Sequence, residues 1–165
     1  MPISSDSYKD CLRHFPSGVT IVTIKTGEKN HGLTVSAFAS VSTDPPQIMI
    51  AIDHRHQAHS LLENADAVFA VSILGLDQEH LSDRFAWVTE EDRFLVGDWE
   101  TALTGAPVLA DSLAWLDCTI AARFSAGTHH IYIGEVQASK VPRPDGAPLV
   151  FWNRGYRKLG LEAED

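Results

Sequence analysis

The chain has 165 residues, 44% of them apolar and 21% charged, and a formal net charge of −9. That suits one globular domain spanning 1–165, and its scattered acidic residues oppose binding to DNA, RNA or anionic membranes, which need clustered Lys and Arg. No apolar run is long enough to span a bilayer and no basic-then-apolar leader opens the chain, so a cytoplasmic location is expected.

Residues 4–15, "SSDSYKDCLRHF", predict a short amphipathic helix. Ser5 or Asp6 can cap it, and Tyr8, Cys11, Leu12 and Phe15 recur at helical spacing. "VTIVTIK" (19–25) is β-branched almost throughout and predicts a strand. "TGEKN" is a turn, and 31–42, "HGLTVSAFASVS", predicts a second extended stretch. "DPP" (44–46) interrupts the ladder, because proline cannot donate to it. Strands follow at 47–53 and 67–74, with a short helix over 58–65 between them. A helix over 76–87 is capped by Asp77 and turns Leu81, Phe85 and Trp87 inward. Residues 88–112 read as irregular. Two long strands occupy 113–127 and 129–141, "PRPDGAP" reads as a hairpin turn, and 149–153 is a last strand. Most gaps are too short for parallel crossovers, so the expected class is mainly β: a mostly antiparallel barrel with short peripheral α-helices.

The two cysteines, Cys11 and Cys118, form no CxxC and lie in apolar-patterned segments. Both read as reduced, buried thiols. The chain has no GxGxxG, Walker A, HExxH or GxSxG motif. The adjacent carboxylates Glu90 and Glu91 read as a solvated face. "DHRHQAHS" (53–60) places His54, His56 and His59 within six positions. In a strand His54 and His56 share a face; in a helix His56 and His59 do. No regular structure aligns all three, so no metal site is expected. If the chain is an enzyme, a bound cofactor carries the chemistry.

The stretch "FPSGVTIVTI…HGLTVSAFASVSTDPPQIMIAID" resembles the short-chain flavin reductases. Later segments extend the resemblance in order: "VFAVSIL…QEHLSDRFA", "GTHHIYIGEV" and "PLVFWNRGYRKL", so that it covers roughly 13–159. It implies a split β-barrel of Greek-key-like connectivity, FMN or FAD as the flavin, and NADH or NADPH as hydride donor. It also implies a homodimer and a separate oxygenase component that receives reduced flavin. A non-catalytic flavin- or haem-binding module, and a reductase acting through bound flavin on another acceptor such as a corrinoid, are the competing readings.

By residue pattern alone, the hydroxyl-rich face of Thr34, Ser36, Ser40 and Ser42 fits either a solvent-facing strand or a ligand surface. The resemblance implies the second, with Thr34, Val35, Ser36, Ala37, Ser40, Val41 and Ser42 lining the isoalloxazine and ribityl chain. It places the flavin phosphate at the strand-to-helix corner, on Arg55, Gln57, His59 and the helix-entry amides, with Asp53 among the cofactor-binding residues. Here the chain departs from the family form "D-R-R-S-R-T-H", with His56 and Ala58 at its hydroxyl positions. His129 matches the histidine beside the nicotinamide and is the expected catalytic residue; Thr128 stands where the family has Asp. Arg84 and Phe85 either reach the flavin edge or pack, and Tyr156 either borders the site or packs.

Overall fold

The computed structural model describes residues 2–160, excluding the side chains of Glu90 and Glu91, so the solvated-face reading of that pair lies outside the described residues. In chain order the elements are α1 (Ser5–Leu12), β1 (Ser17–Gly18), β2 (Thr20–Thr26), β3 (Lys29–Val35), β4 (Phe38–Thr43), β5 (Pro46–Asp53), α2 (Gln57–Leu62) and β6 (Val68–Ile73). A 3-10 turn (Leu76–Gln78) leads into α3 (Glu79–Trp87), followed by α4 (Glu90–Arg93), β7 (Trp99–Thr101), β8 (Pro107–Leu109), β9 (Ala114–Ala126), β10 (His129–Lys140), β11 (Val150–Trp152) and β12 (Gly155–Arg157).

Seven strands form one antiparallel sheet in the order β3-β2-β6-β9-β10-β5-β4. Its two edge strands, β3 and β4, are consecutive in the chain and separated only by Ser36 and Ala37. The sheet must therefore curl until its edges meet, which makes a barrel split at that junction. Ala37 stays attached to the rim, its carbonyl accepting from Ala51 N–H at 3.1 Å.

The barrel interior holds Val22, Ile24, Leu33, Ile50, Phe69 and Tyr132. In β5, Ile48, Ile50 and Ile52 alternate inward as the strand period requires, and each buried isoleucine contributes about 1.5–3 kcal/mol. A second cluster under α3 takes Val19, Ile21, Leu81, Phe85 and Leu149. β2 is thus covered on both faces, which is why it reads as an almost unbroken apolar run. Gly134 in β10 is required by packing: a Cβ there would overlap the Phe69 ring and stand 2.9 Å from Cys118 Cβ. Burial, with a smaller push from Asp117, raises the Cys118 thiol to about 12.

Several expectations are corrected. Ser4, not Ser5 or Asp6, caps α1, accepting from Ser7 N–H. α1 lies outside the barrel and buries no residue, so Tyr8, Leu12, Phe15 and Cys11 are exposed, and Cys11 is not a buried thiol. The stretch 31–42 is two strands, not one. The break at Ser36–Ala37 and a register shift between Ser40 and Ser42 destroy the single alternating face. Asp77 does not cap α3; its carboxylate is held by Arg143 at 2.9–3.0 Å. Trp87 does not turn inward. Residues 88–112 contain α4 and the small β7–β8 pair. "PRPDGAP" closes no hairpin, because β11 pairs with β1 and β12 rather than with β10.

Candidate functional site

The surface is indented at the junction between β3 and β4. Three cavities meet there, and Ser36 lines all of them. The first, about 570 Å³, runs between α1, β4 and the β11–β12 turn, with walls from Tyr8, Leu12, Phe15, Phe38 and Trp152. The second, about 220 Å³, is walled by Thr34, Val35, Asp53, His56 and His129. The third, about 210 Å³, lies between Thr34, Ser82, Trp87, Phe151 and Tyr156. Ser36 and Ala37 give their carbonyls to Phe38 and Ala51, while their own N–H groups have no acceptor among the described residues. The seam therefore offers donors to a ligand.

The corner at the end of β5 is organised by its own side chains. Asp53 accepts from the Arg55 backbone N–H at 2.9 Å, from Nε at 3.1 Å and from Nη2 at 2.7 Å. Those bonds hold the Asp53 carboxyl well below the usual carboxylate range. Arg55 stays 88% exposed and keeps unused guanidinium donors, since this fork has five N–H groups. His56 is the N-cap of α2, and its Nδ1 accepts from Ala58 N–H at 3.2 Å. That amide, one of the expected phosphate donors, is thereby occupied. Across the ladder from Asp53 stands His129, whose Nδ1 lies 2.9 Å from the Thr128 hydroxyl.

The histidines of 53–60 divide between two sides. His56 faces the second cavity, whereas His54 and His59 pack with His130 of β10 at ring separations of 4.7 and 4.5 Å and with each other at 5.1 Å. His59 Nδ1 lies 2.6 Å from the Tyr132 hydroxyl, which donates to Glu63 Oε1 at 2.9 Å. Burial first, then His130, lowers the proton affinity of His59; burial first, then Glu63, pushes the Tyr132 phenol up. Among the described residues no group of three or more His, Cys, Asp and Glu side chains is arranged to hold a metal ion.

The structure thus brings Thr34, Val35, Ser36, Ala37, Asp53 and His129 around the second cavity, with Tyr156 on the third. Arg55 and Gln57 stand exposed at the adjoining corner. Ser40, Val41 and Ser42 line none of the three cavities; Ser42 Oγ instead accepts from Asp44 N–H. His59 points to Tyr132. Arg84 donates from Nε to the Arg93 carbonyl, and Phe85, 1% exposed, packs against Phe94 and Trp99.

Ser82, Trp87 and Phe151 line the site without having been singled out. Ser82 carried one signal, a hydroxyl on the buried stripe of α3 beside Leu81 and Phe85. Its carbonyl accepts from Thr34 Oγ1 at 2.5 Å, and its hydroxyl meets Tyr156 OH at 2.8 Å.

A sequence model described as a flavin reductase like domain matches residues 12–160. The reductase component of the 4-hydroxyphenylacetate 3-monooxygenase of Thermus thermophilus is 37% identical, over 93% of this chain and 96% of its own. The FMN reductase (NADH) SmoA of Agrobacterium fabrum is 40% identical, over 96% and 88%. Among solved structures, an NADH:FAD oxidoreductase of Streptomyces globisporus, in complex with NAD and FAD fragments, superimposes with a TM-score of 0.89. It is 30% identical, with 99% of this chain and 100% of that one covered.

Proposed function

The chain belongs to the flavin reductase like domain family, and on that premise we propose that it passes hydride from NADH or NADPH to FMN or FAD and supplies the reduced flavin to a separate oxygenase. The observation that carries this reading is the seam at Ser36–Ala37, where backbone N–H groups without an acceptor among the described residues lie beside three cavities that share Ser36. The residues present fit a flavin. Arg55, oriented by Asp53 and largely exposed, has donors left for a phosphate. The N–H groups of Ser36 and Ala37 suit the heteroatoms of the ring edge. Thr34 and Ser36 flank the path between the second and third cavities.

A bound flavin supplies the ring that accepts hydride, two electrons with one proton, from C4 of the nicotinamide. The chain's own part is to bind, orient and exclude water. Asp53 fixes Arg55, Thr128 fixes the His129 ring, and His129 meets the hydride donor from the β10 side. Orientation of this kind contributes on the order of several kcal/mol to lowering a barrier.

The apolar first cavity, with Tyr8, Leu12, Phe15, Phe151 and Trp152 all at least 38% exposed around it, supports a homodimer in which a second copy covers α1. Light scattering then returns twice the 18.1 kDa chain mass. The enzymatic reading is tested by mixing the protein with NADH or NADPH and FMN or FAD in air and following absorbance at 340 nm. Decay is expected. Flavin binding without decay, for either flavin and either nicotinamide, overturns the reading and leaves a non-catalytic module.

A further inference from the structure

Trp87 is the least accounted-for aromatic residue of the fold. It ends α3 past the inward stripe of Leu81, Ser82 and Phe85, and it is 84% exposed. Its backbone is nevertheless fixed, because the next residue, Val88, turns extended while its N–H still donates to the Arg84 carbonyl at 3.0 Å. A large indole held in solvent at a cavity rim is a surface that awaits a cover.

The cavity it borders has a definite chemical character. Phe151 and Tyr156, whose rings meet edge-on at 5.7 Å, line it with Trp87, as do Val19 and Ala86. Beyond Ser36 at the seam, the hydroxyls beneath are already paired. Thr34 Oγ1 donates to the Ser82 carbonyl, Ser82 Oγ bonds Tyr156 OH, and Tyr156 OH reaches Asp83 Oδ1 at 2.9 Å. Past Ser36, a group needing hydrogen bonds would lose them on entering, so a carboxamide or the pyrimidine edge of a flavin is disfavoured at the far end. An aromatic edge bearing only methyl groups loses nothing. At about 210 Å³ the space is below the roughly 300–1,000 Å³ of a whole-ligand pocket, and it suits one substituted ring. Through Thr34 and Ser36 it joins the cavity whose far wall is Asp53. A molecule with its phosphate at Arg55 and its ring system past Ser36 would therefore put its distal end here.

We propose that Trp87, with Phe151 and Tyr156, walls a slot for the dimethylbenzene edge of the flavin and makes the protein selective for substitution at that edge. This rests on the flavin reading above and adds to it the residue that recognises the apolar end. The exposed position of Trp87 lets it be replaced without disturbing the core, so the test is direct. Dissociation constants for FMN and for 7,8-didemethyl-FMN are measured by quenching of flavin fluorescence, with KM for NADH measured alongside. The unaltered protein is expected to favour FMN by roughly tenfold or more, the range that a few methyl groups command in an apolar pocket. Trp87→Ala should bring that ratio within about twofold, while Trp87→Phe keeps most of the selectivity. A ratio unchanged in Trp87→Ala overturns the proposal. So does a rise in KM for NADH with the flavin ratio intact, which would place the nicotinamide in the slot. Because the ratio is read from binding alone, failure of the unaltered protein to oxidise NADH counts against the reductase reading and not against the slot.

Discussion

Replacing Tyr132 by Phe removes one oxygen from the middle of the histidine cluster and nothing else. The ring is fully buried in the barrel, so its packing is retained. The hydroxyl gives its proton to Glu63 Oε1 at 2.9 Å and accepts from His59 Nδ1 at 2.6 Å. A hydrogen bond to a charged partner is worth about 1.5–3 kcal/mol, and a buried donor left without an acceptor costs about 1–3 kcal/mol. The Glu63 side chain is 43% exposed and recovers water, which takes its share to the low end. His59 packs between His54 and His130 but is only half-buried, so it too recovers part of its loss from water. The expected loss is about 2 kcal/mol, or a fall in Tm of roughly 4–8 °C for a chain of this size. Urea denaturation of Tyr132→Phe beside the unaltered protein measures it, with m unchanged as the sign that only stability moved. A loss below about 0.5 kcal/mol would show that this network does not brace the corner, and the account of why His59 turns away from the cavity would fall with it.

Three further outcomes are expected. His129→Ala should slow oxidation of the nicotinamide more than it weakens flavin binding; a collapse of flavin affinity at unchanged turnover would mean that His129 serves the flavin instead. Arg55→Ala should weaken FMN by roughly tenfold, about one charge-assisted hydrogen bond, yet leave riboflavin, which lacks the phosphate, unaffected. Equal losses for both would remove Arg55 from the phosphate site. The lowered proton affinity of His59 sets a pH dependence: between its folded value and the ordinary 6.5 the unfolded chain binds a proton that the folded chain refuses. Stability is therefore whole above about pH 6.5 and is lost as pH falls through the lowered value. Tm measured from pH 7 to pH 5 should drop less in His59→Gln than in the unaltered protein.

What could be read from the residues follows from how local each feature is. The β-branched run of β2 and the alternation of Ile48, Ile50 and Ile52 carry their own periods, so strands and barrel class were legible. The resemblance then supplied the order of the motifs. Long-range partners left no such mark. "PRPDGAP" is a turn by composition, but its following strand pairs with β1 and β12. Asp77 has the composition of a cap and is taken by Arg143, 66 residues away in sequence. Thr34 through Ser42 look like one amphipathic strand, and only closure of the sheet reveals that the chain must break at Ser36–Ala37 to pass from one barrel edge to the other. The same closure sorts the histidines of 53–60. Asp53 ends a strand and His56 caps a helix, so His56 faces the cavity while His54 and His59 turn to His130.

Cys118 acquires a further meaning once the reaction is considered. Free reduced flavin meets dioxygen and yields hydrogen peroxide, so a protein that makes it works beside an oxidant of its own production. Peroxide attacks thiolates. With a thiol pushed to about 12, only about one Cys118 in 10⁵ is a thiolate at neutral pH, and the barrel wall covers it. The sulfur that supports β9 against Phe69 and Gly134 is thus shielded twice, by the barrel wall and by its own reluctance to ionise.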